Sequence, residues 1–247
     1  MQCLVSVNQV EEALLVVNAG VPMVDIKDTA YGALAALDLA STQAIVMQVR
    51  AHARAQPVLL SATVGDDWVS LQHLHTAVTA RLALGIDVIK LSETLWRAQA
   101  ASHQLADWCK QGVKLIAVYS PDSLHAETTI RHSVQHLAAQ GFYGVMVDTI
   151  NKAQPLCQLV SESQLAHFIQ QAQQHGLRVG LAGGMQLNDL ERVMRLAPDY
   201  VGFRGGLCVA GQRQSRLLPD AVQQLVERLP TCSVALSQNA AHQRLLA

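Results

Sequence analysis

Five side chains of this 247-residue sequence have the types and placement for proton and carbonyl chemistry: Asp25, Lys27, Lys90, Asp148 and Lys152. Asp25 and Lys27 sit two residues apart in VDIKDT, where Val24 and Ile26 read as a buried strand. Alternation along a strand puts the Asp and the Lys on one face. Of the five lysines, Lys110 falls at a helix end and Lys114 at a strand start, where solvated roles suffice. Lys27, Lys90 and Lys152 fall at or just after strand ends. Lysines crowded in a partly desolvated pocket disfavour one another's protonation and move from about 10.4 toward neutrality. A neutral amine can attack a carbonyl to form a Schiff base. The iminium is then an electron sink for proton removal at the adjacent carbon, with a second lysine or a carboxylate moving the protons.

The elements that must place these groups alternate along the chain. Eight short aliphatic runs read as strands: Cys3 to Val7, Met23 to Lys27, Val58 to Gly65, Asp87 to Ser92, Lys114 to Ser120, Gly144 to Thr149, Arg178 to Gly184 and Tyr200 to Gly206. Amphipathic segments such as SLQHLHTAVTARLALG and SESQLAHFIQQAQQHG separate them and stop at Gly or Pro. This order predicts a parallel sheet with helices outside, and eight units without a break in composition favour an α/β single-domain (β/α)8 TIM barrel over residues 1–230. An open doubly wound sheet is the alternative, but the GxGxxG turn after the first strand is absent. The tail 231–247 is expected either to be disordered or to contact a second copy.

Barrel layers are filled from alternate strands. Lys27, Lys90 and Lys152 belong to the second, fourth and sixth units, and Asp25 and Asp148 to the second and sixth. The five are therefore expected to meet at one height above the core. The other orientation turns Asp25 and Lys27 outward into salt bridges under the helices, at a desolvation cost of its own. LAGG and FRGG end the seventh and eighth strands, where barrels build phosphate sites from backbone N–H groups. The residues at issue are Gly183, Gly184, Arg204, Gly205 and Gly206, with Arg213 and Arg216 as further charge. Tight strand-to-helix turns would use the same glycines. The Ala-rich connection from Asp28 to Thr42 has the length of a loop that covers a substrate.

Composition excludes other classes. Half of the residues are hydrophobic, 15% are charged and the formal net charge is −1, which argues against a nucleic-acid partner. Apolar runs break well short of the ~18 residues of a membrane span. Five scattered cysteines without CxxC fit a reduced, cytoplasmic setting. His132 and His136, like His73 and His75, share a helix face without a third ligand, so no metal site is expected. The modest charge is compatible with a homo-oligomer.

Taken together, the motifs resemble the (5-formylfuran-3-yl)methyl phosphate synthase family of methanofuran biosynthesis. The residues that carry the resemblance are LVSV near the start, VDIK at Asp25 and Lys27, LLSATVGD from Leu59 to Asp66, DVIKL around Lys90, VMVDTINK from Val145 to Lys152, GLRVGLAGG from Gly176 and YVGFRGGLC from Tyr200. They run in order to about Arg216. The resemblance implies a TIM-barrel lyase that joins two molecules of glyceraldehyde 3-phosphate into a phosphorylated furan aldehyde with loss of phosphate and water. It implies a Schiff-base lysine at Lys27, a proton-accepting lysine at Lys90, and proton transfer and positioning by Asp25, Asp148 and Lys152. No cofactor or metal is implied. The chain departs from the family pattern after the first lysine, where Thr29 stands at a Pro position and GALAA, Gly32 to Ala36, replaces a GSLGA-like run. A class I aldolase-like barrel for another sugar phosphate, or a noncatalytic phosphometabolite-binding barrel, would share much of this pattern.

Overall fold

The computed structural model describes residues 1–32, 34–53, 57–149 and 154–229. Lys152 and the tail expected at 231–247 lie outside the described residues. Eight parallel strands close into a barrel in sequence order: β1 Gln2–Val7, β2 Met23–Ile26, β3 Leu59–Thr63, β4 Val88–Leu91, β5 Lys114–Tyr119, β6 Gly144–Val147, β7 Arg178–Leu181 and β8 Tyr200–Phe203. The main outer helices are α1 Val10–Asn18, α2 Leu39–His52, α3 Leu71–Ala83, α4 Ser102–Lys110, α5 Glu127–Gln140, α6 Glu162–Gln174, α7 Leu190–Leu196 and α8 Pro219–Arg228. The expected TIM barrel is thus the observed one.

Local chemistry sets the helix ends. Asp38 caps α2 by accepting from the Ser41 N–H at 2.8 Å, so the β2–α2 connection ends there and not at Thr42 as the composition suggested. Ser161 and Gln164 form a reciprocal capping box at the start of α6. Gly141, at φ 88°, closes α5 in the left-handed conformation that a side chain would resist. The glycine pairs of LAGG and FRGG lie beyond the last ladder residues of β7 and β8 and form loops rather than strand ends.

Strand alternation divides the core in two. Val24, Ile26, Leu60, Ile89 and Leu91 join the large cluster beneath the helices. Leu4, Met23, Val88, Ile116, Met146 and Tyr200 fill the barrel. Asp25 and Lys27 therefore face inward. Following the register around the tilted sheet, Asp25, Lys90, Met146 and Gly202 form one inward layer, while Lys27, Asp148 and Arg204 occupy positions of the next layer toward the carboxyl ends. The two lysines thus stand on successive layers and not at one height. The reason is strand tilt: the pairing of Asp25 with Ser61 and of Thr63 with Lys90 sets Lys90 two residues ahead of Asp25 in register, and the tilt over two strands cancels that offset and leaves Lys90 in the Asp25 layer.

Below this lies a closed floor. Tyr200 is fully buried, and a Cβ added at Gly180 would sit 2.2 Å from its ring. At the amino-terminal mouth Arg178 donates to the Tyr143 hydroxyl at 3.0 Å and to Gln2 Oε1 at 2.8 Å. Gly180→Ala should cost about 2 kcal/mol by overpacking, read by urea unfolding, and Tyr200→Leu should recover most of that loss in the double variant. A Gly180→Ala chain as stable as the parent would contradict this packing.

Candidate active site

Asp25 is the centre of the site and is completely buried. Its neighbours in the ladder are Ser6 and Ser61, and both hydroxyls donate to it, Ser6 to Oδ2 at 3.0 Å and Ser61 to Oδ1 at 2.8 Å. Lys90 Nζ makes a close ion pair with Oδ1 at 2.6 Å, and Lys27 Nζ lies 3.8 Å from Oδ2. Lys27 also stands 3.5 Å from Asp148 Oδ2. Four of the five residues expected to do chemistry are therefore in one cluster, and the fifth, Lys152, falls outside the described residues.

Burial and charge compete at each member. Desolvation alone would raise the Asp25 pKa, but Lys90, Lys27 and the Ser61 hydroxyl outweigh it and hold the carboxyl below its ordinary value. Lys90 is also fully buried, and loss of water pulls its pKa down further than the attraction of Asp25 restores it, with Lys27 adding to the fall. Lys90 is thereby made the easier of these groups to use as a neutral base.

A cavity of about 240 Å³ opens above Asp25, and Lys27, Asp148, Gly183, Gly184, Gly205 and Arg213 help to line it. Lys90 does not reach it. Its space exists partly because Gly202 carries no side chain: a Cβ there would crowd Ala182 and Met146 at 3.0 and 3.1 Å. On the other side the β2–α2 connection folds over the mouth, with Leu34 buried in the inner cluster alongside Val118 and Ile116. Thr63 donates to the Ala35 carbonyl at 2.9 Å, and Arg81 to that of Leu37 at 2.9 Å, fixing this cover in place. Thr29 is buried and accepts from Asn8 Nδ2 at 2.7 Å, a tie that a proline could not make. A shallower depression between α6 and α7 is lined by glutamines and aliphatic residues and offers no ionisable group.

The expected phosphate residues lie together but differ in use. Gly183 and Gly184 have positive φ and pack against Thr149 and Pro155, where added side chains would collide. Gly206 permits a close approach to the Met185 carbonyl. Arg204 has its guanidinium turned to Glu12 Oε2 at 2.5 Å and to the carbonyls of Ser6, Arg213 and Ser215. Sequence reasoning missed Ser6, Ser61 and Asp66. Both serines lie inside strand runs, at the inward parity, where a small hydroxyl gives little signal. Asp66, at the end of LLSATVGD, is half-buried near Lys27 and Asp148, and burial raises its pKa.

A barrel with buried amines and carboxylates at the carboxyl end of its strands, below a cavity edged by glycine loops, has the form of an enzyme acting on a small molecule. Comparison with known proteins narrows this class. Residues 3–226 match the family model described as 4-HFC-P synthase. A Methylorubrum extorquens protein provisionally named (5-formylfuran-3-yl)methyl phosphate synthase is 36% identical over 229 residues, covering 92% of this chain and 90% of its own. The (5-formylfuran-3-yl)methyl phosphate synthases of Methanopyrus kandleri and Methanothermobacter thermautotrophicus are 29% and 28% identical, with 89% and 93% of this chain covered and 94% and 99% of theirs. The chain belongs to the (5-formylfuran-3-yl)methyl phosphate synthase family and is an enzyme of that family. Among solved structures, the phosphoribosyl anthranilate isomerase of Thermus thermophilus (TM-score 0.60, 15% identity, 92% and 98% coverage) and a 3-hexulose-6-phosphate synthase (TM-score 0.60, 14% identity, 93% and 100% coverage) share the fold. No helix among the described residues is long and apolar enough to cross a membrane.

The pairing of Asp25 with Lys90 has a measurable cost when broken. Lys90→Met leaves a buried carboxylate short of its closest cation and should destabilise the chain by about 3 kcal/mol, whereas Asp25→Leu combined with Lys90→Met should be no less stable than either single variant. Folding removes protons from Lys90 between its lowered value and the ordinary lysine value, so stability should rise with pH across that window in the parent and lose this contribution in Lys90→Met. Urea unfolding at several pH values reads both. A Lys90→Met chain with parental stability at neutral pH would rule out the buried pair.

Proposed function

We propose that this enzyme condenses two molecules of glyceraldehyde 3-phosphate into (5-formylfuran-3-yl)methyl phosphate through an imine on Lys27. The observation that carries the reading is that Lys27 is the cluster amine lining the cavity, held between Asp25 and Asp148, while Lys90 lies beneath it behind Asp25. Lys27 loses its proton toward Asp25 and on to Lys90, whose burial makes it a base. The freed amine adds to the carbonyl carbon of one triose phosphate, water leaves, and the imine forms. Removal of the adjacent C–H proton gives an enamine. Asp148, which lines the cavity, assists that transfer, and the resemblance of VMVDTINK implies the same role for Lys152.

The enamine carbon attacks the aldehyde of the second triose and forms the new C–C bond. A hydroxyl then closes the ring on a carbonyl, and eliminations with imine hydrolysis free Lys27. Two trioses give one furan aldehyde phosphate, one inorganic phosphate and two waters, a balance that closes without oxidant or reductant. Two phosphorylated substrates need two anion sites. The cavity edge at Gly183, Gly184 and Gly205 is proposed for one, and the covering β2–α2 connection for the neighbourhood of the other.

Incubation of the purified protein with glyceraldehyde 3-phosphate alone should yield the furan aldehyde phosphate by mass spectrometry, with one phosphate released per furan. Lys90→Gln should lower kcat by about a hundredfold or more, as loss of a general base does. A different aldol product, or triose phosphate binding without any furan, would replace this reading with one of an aldolase or of a binding protein.

A further inference from the structure

Arg204 seemed from its sequence position to be a phosphate ligand, but its donors are already committed. Nε donates to the Arg213 carbonyl at 2.9 Å, Nη1 to Ser6 O at 3.2 Å and Glu12 Oε2 at 2.5 Å, and Nη2 to Ser215 O at 2.9 Å. Both residues of the ion pair are buried. Glu12 Oε1 in turn accepts from the Leu217 N–H at 3.2 Å. The pair thus grips the loop after β8 at residues 213, 215 and 217 and ties it to α1 and β1. Offering this guanidinium to a phosphate would break a buried ion pair and leave Glu12 uncompensated.

Arg204 lines the cavity too, but with its donors spent, whereas Arg213 has donors to spare. Arg213 lies on the gripped loop, lines the cavity with Gly183, Gly184 and Gly205, and makes only one side-chain hydrogen bond among the described residues, from Nη1 to Gly32 O at 2.7 Å. Among the described residues, the N–H groups of those three glycines have no backbone acceptor. A planar fork beside open backbone N–H groups matches the oxygens of a phosphate. The competing acceptor, Gly32 O, is neutral, and a charged phosphate makes about twice as strong a hydrogen bond.

We infer that Arg213 is the cationic partner of a substrate phosphate in this cavity, and that the Glu12–Arg204 pair is a positioning strut that presents it. The inference rests on the reading of the β7–β8 end as a phosphate site. Binding of phosphate would also draw Arg213 from Gly32 and so couple phosphate to the β2–α2 connection that follows Lys27.

Calorimetric titration with inorganic phosphate tests the assignment in the parent, Arg213→Gln, Glu12→Gln and the double variant. Arg213→Gln should weaken one phosphate site about tenfold or more. Glu12→Gln should weaken the same site although Glu12 does not line the cavity, and the double variant should bind no more weakly than Arg213→Gln alone. Arg204→Lys replaces Glu12→Gln if the latter does not stay folded at the titration temperature, with the same expectation. Turnover of glyceraldehyde 3-phosphate by Arg213→Gln should show KM raised more than kcat is lowered. Unchanged affinity in Arg213→Gln, additive losses in the double variant, or no phosphate binding by the parent would overturn the inference. Phosphate binding through Arg213 without furan formation would leave it standing and remove the proposed reaction instead.

Discussion

Asp25 is completely buried, and its charge persists in the barrel because two serine hydroxyls and two lysine side chains surround it. An isolated buried carboxylate would be driven to its neutral form. Here the surrounding donors reverse that tendency, and the carboxylate in return fixes where both lysines can lie. Lys90 is held beside it in the same layer and Lys27 one layer above, so one negative charge fixes both amines on the way to the cavity. The rest of the site follows from that order, since the amine in the cavity is backed by a second lysine that does not line it and whose pKa burial holds below its ordinary value.

The two sides of the mouth are built differently. Over β3 to β5, Leu34 enters the inner cluster and the β2–α2 connection seals the space above Lys90. Over β6 to β8, glycines replace side chains in the lining and leave the cavity open. Dry cover on one side strengthens the electrostatics of the buried pair. The open side is where a small molecule has room to enter. The family match spans both sides, from the first strand into α8. The Asn8–Thr29 hydrogen bond shows how the chain holds its connection where the family pattern has a proline.

Much of this was legible in the sequence for a physical reason: strand parity is local. The spacing of Asp25 and Lys27 told that they share a face, and the alternation of strands and helices told that a parallel barrel would bring Lys90 and Asp148 to them. Parity alone could not choose between the two covered faces, and the inward choice emerges only when Val24 and Ile26 are seen beneath the helices. Tilt was equally invisible, so Lys27 and Lys90 were expected at one height and stand on two layers. The pairing of Arg204 with Glu12 was invisible because Glu12 lies at the other end of the chain. Serines 6 and 61 gave no signal, since a hydroxyl in an aliphatic strand is explained as easily by packing.

The central claim is that Lys27 is the amine that bonds to substrate. Borohydride reduction in the presence of glyceraldehyde 3-phosphate, followed by peptide mass mapping, tests it directly. A reduced triose adduct on the peptide that contains Lys27, and its loss in Lys27→Ala, is the predicted result; an adduct on Lys90, or one that survives in Lys27→Ala, would contradict the account.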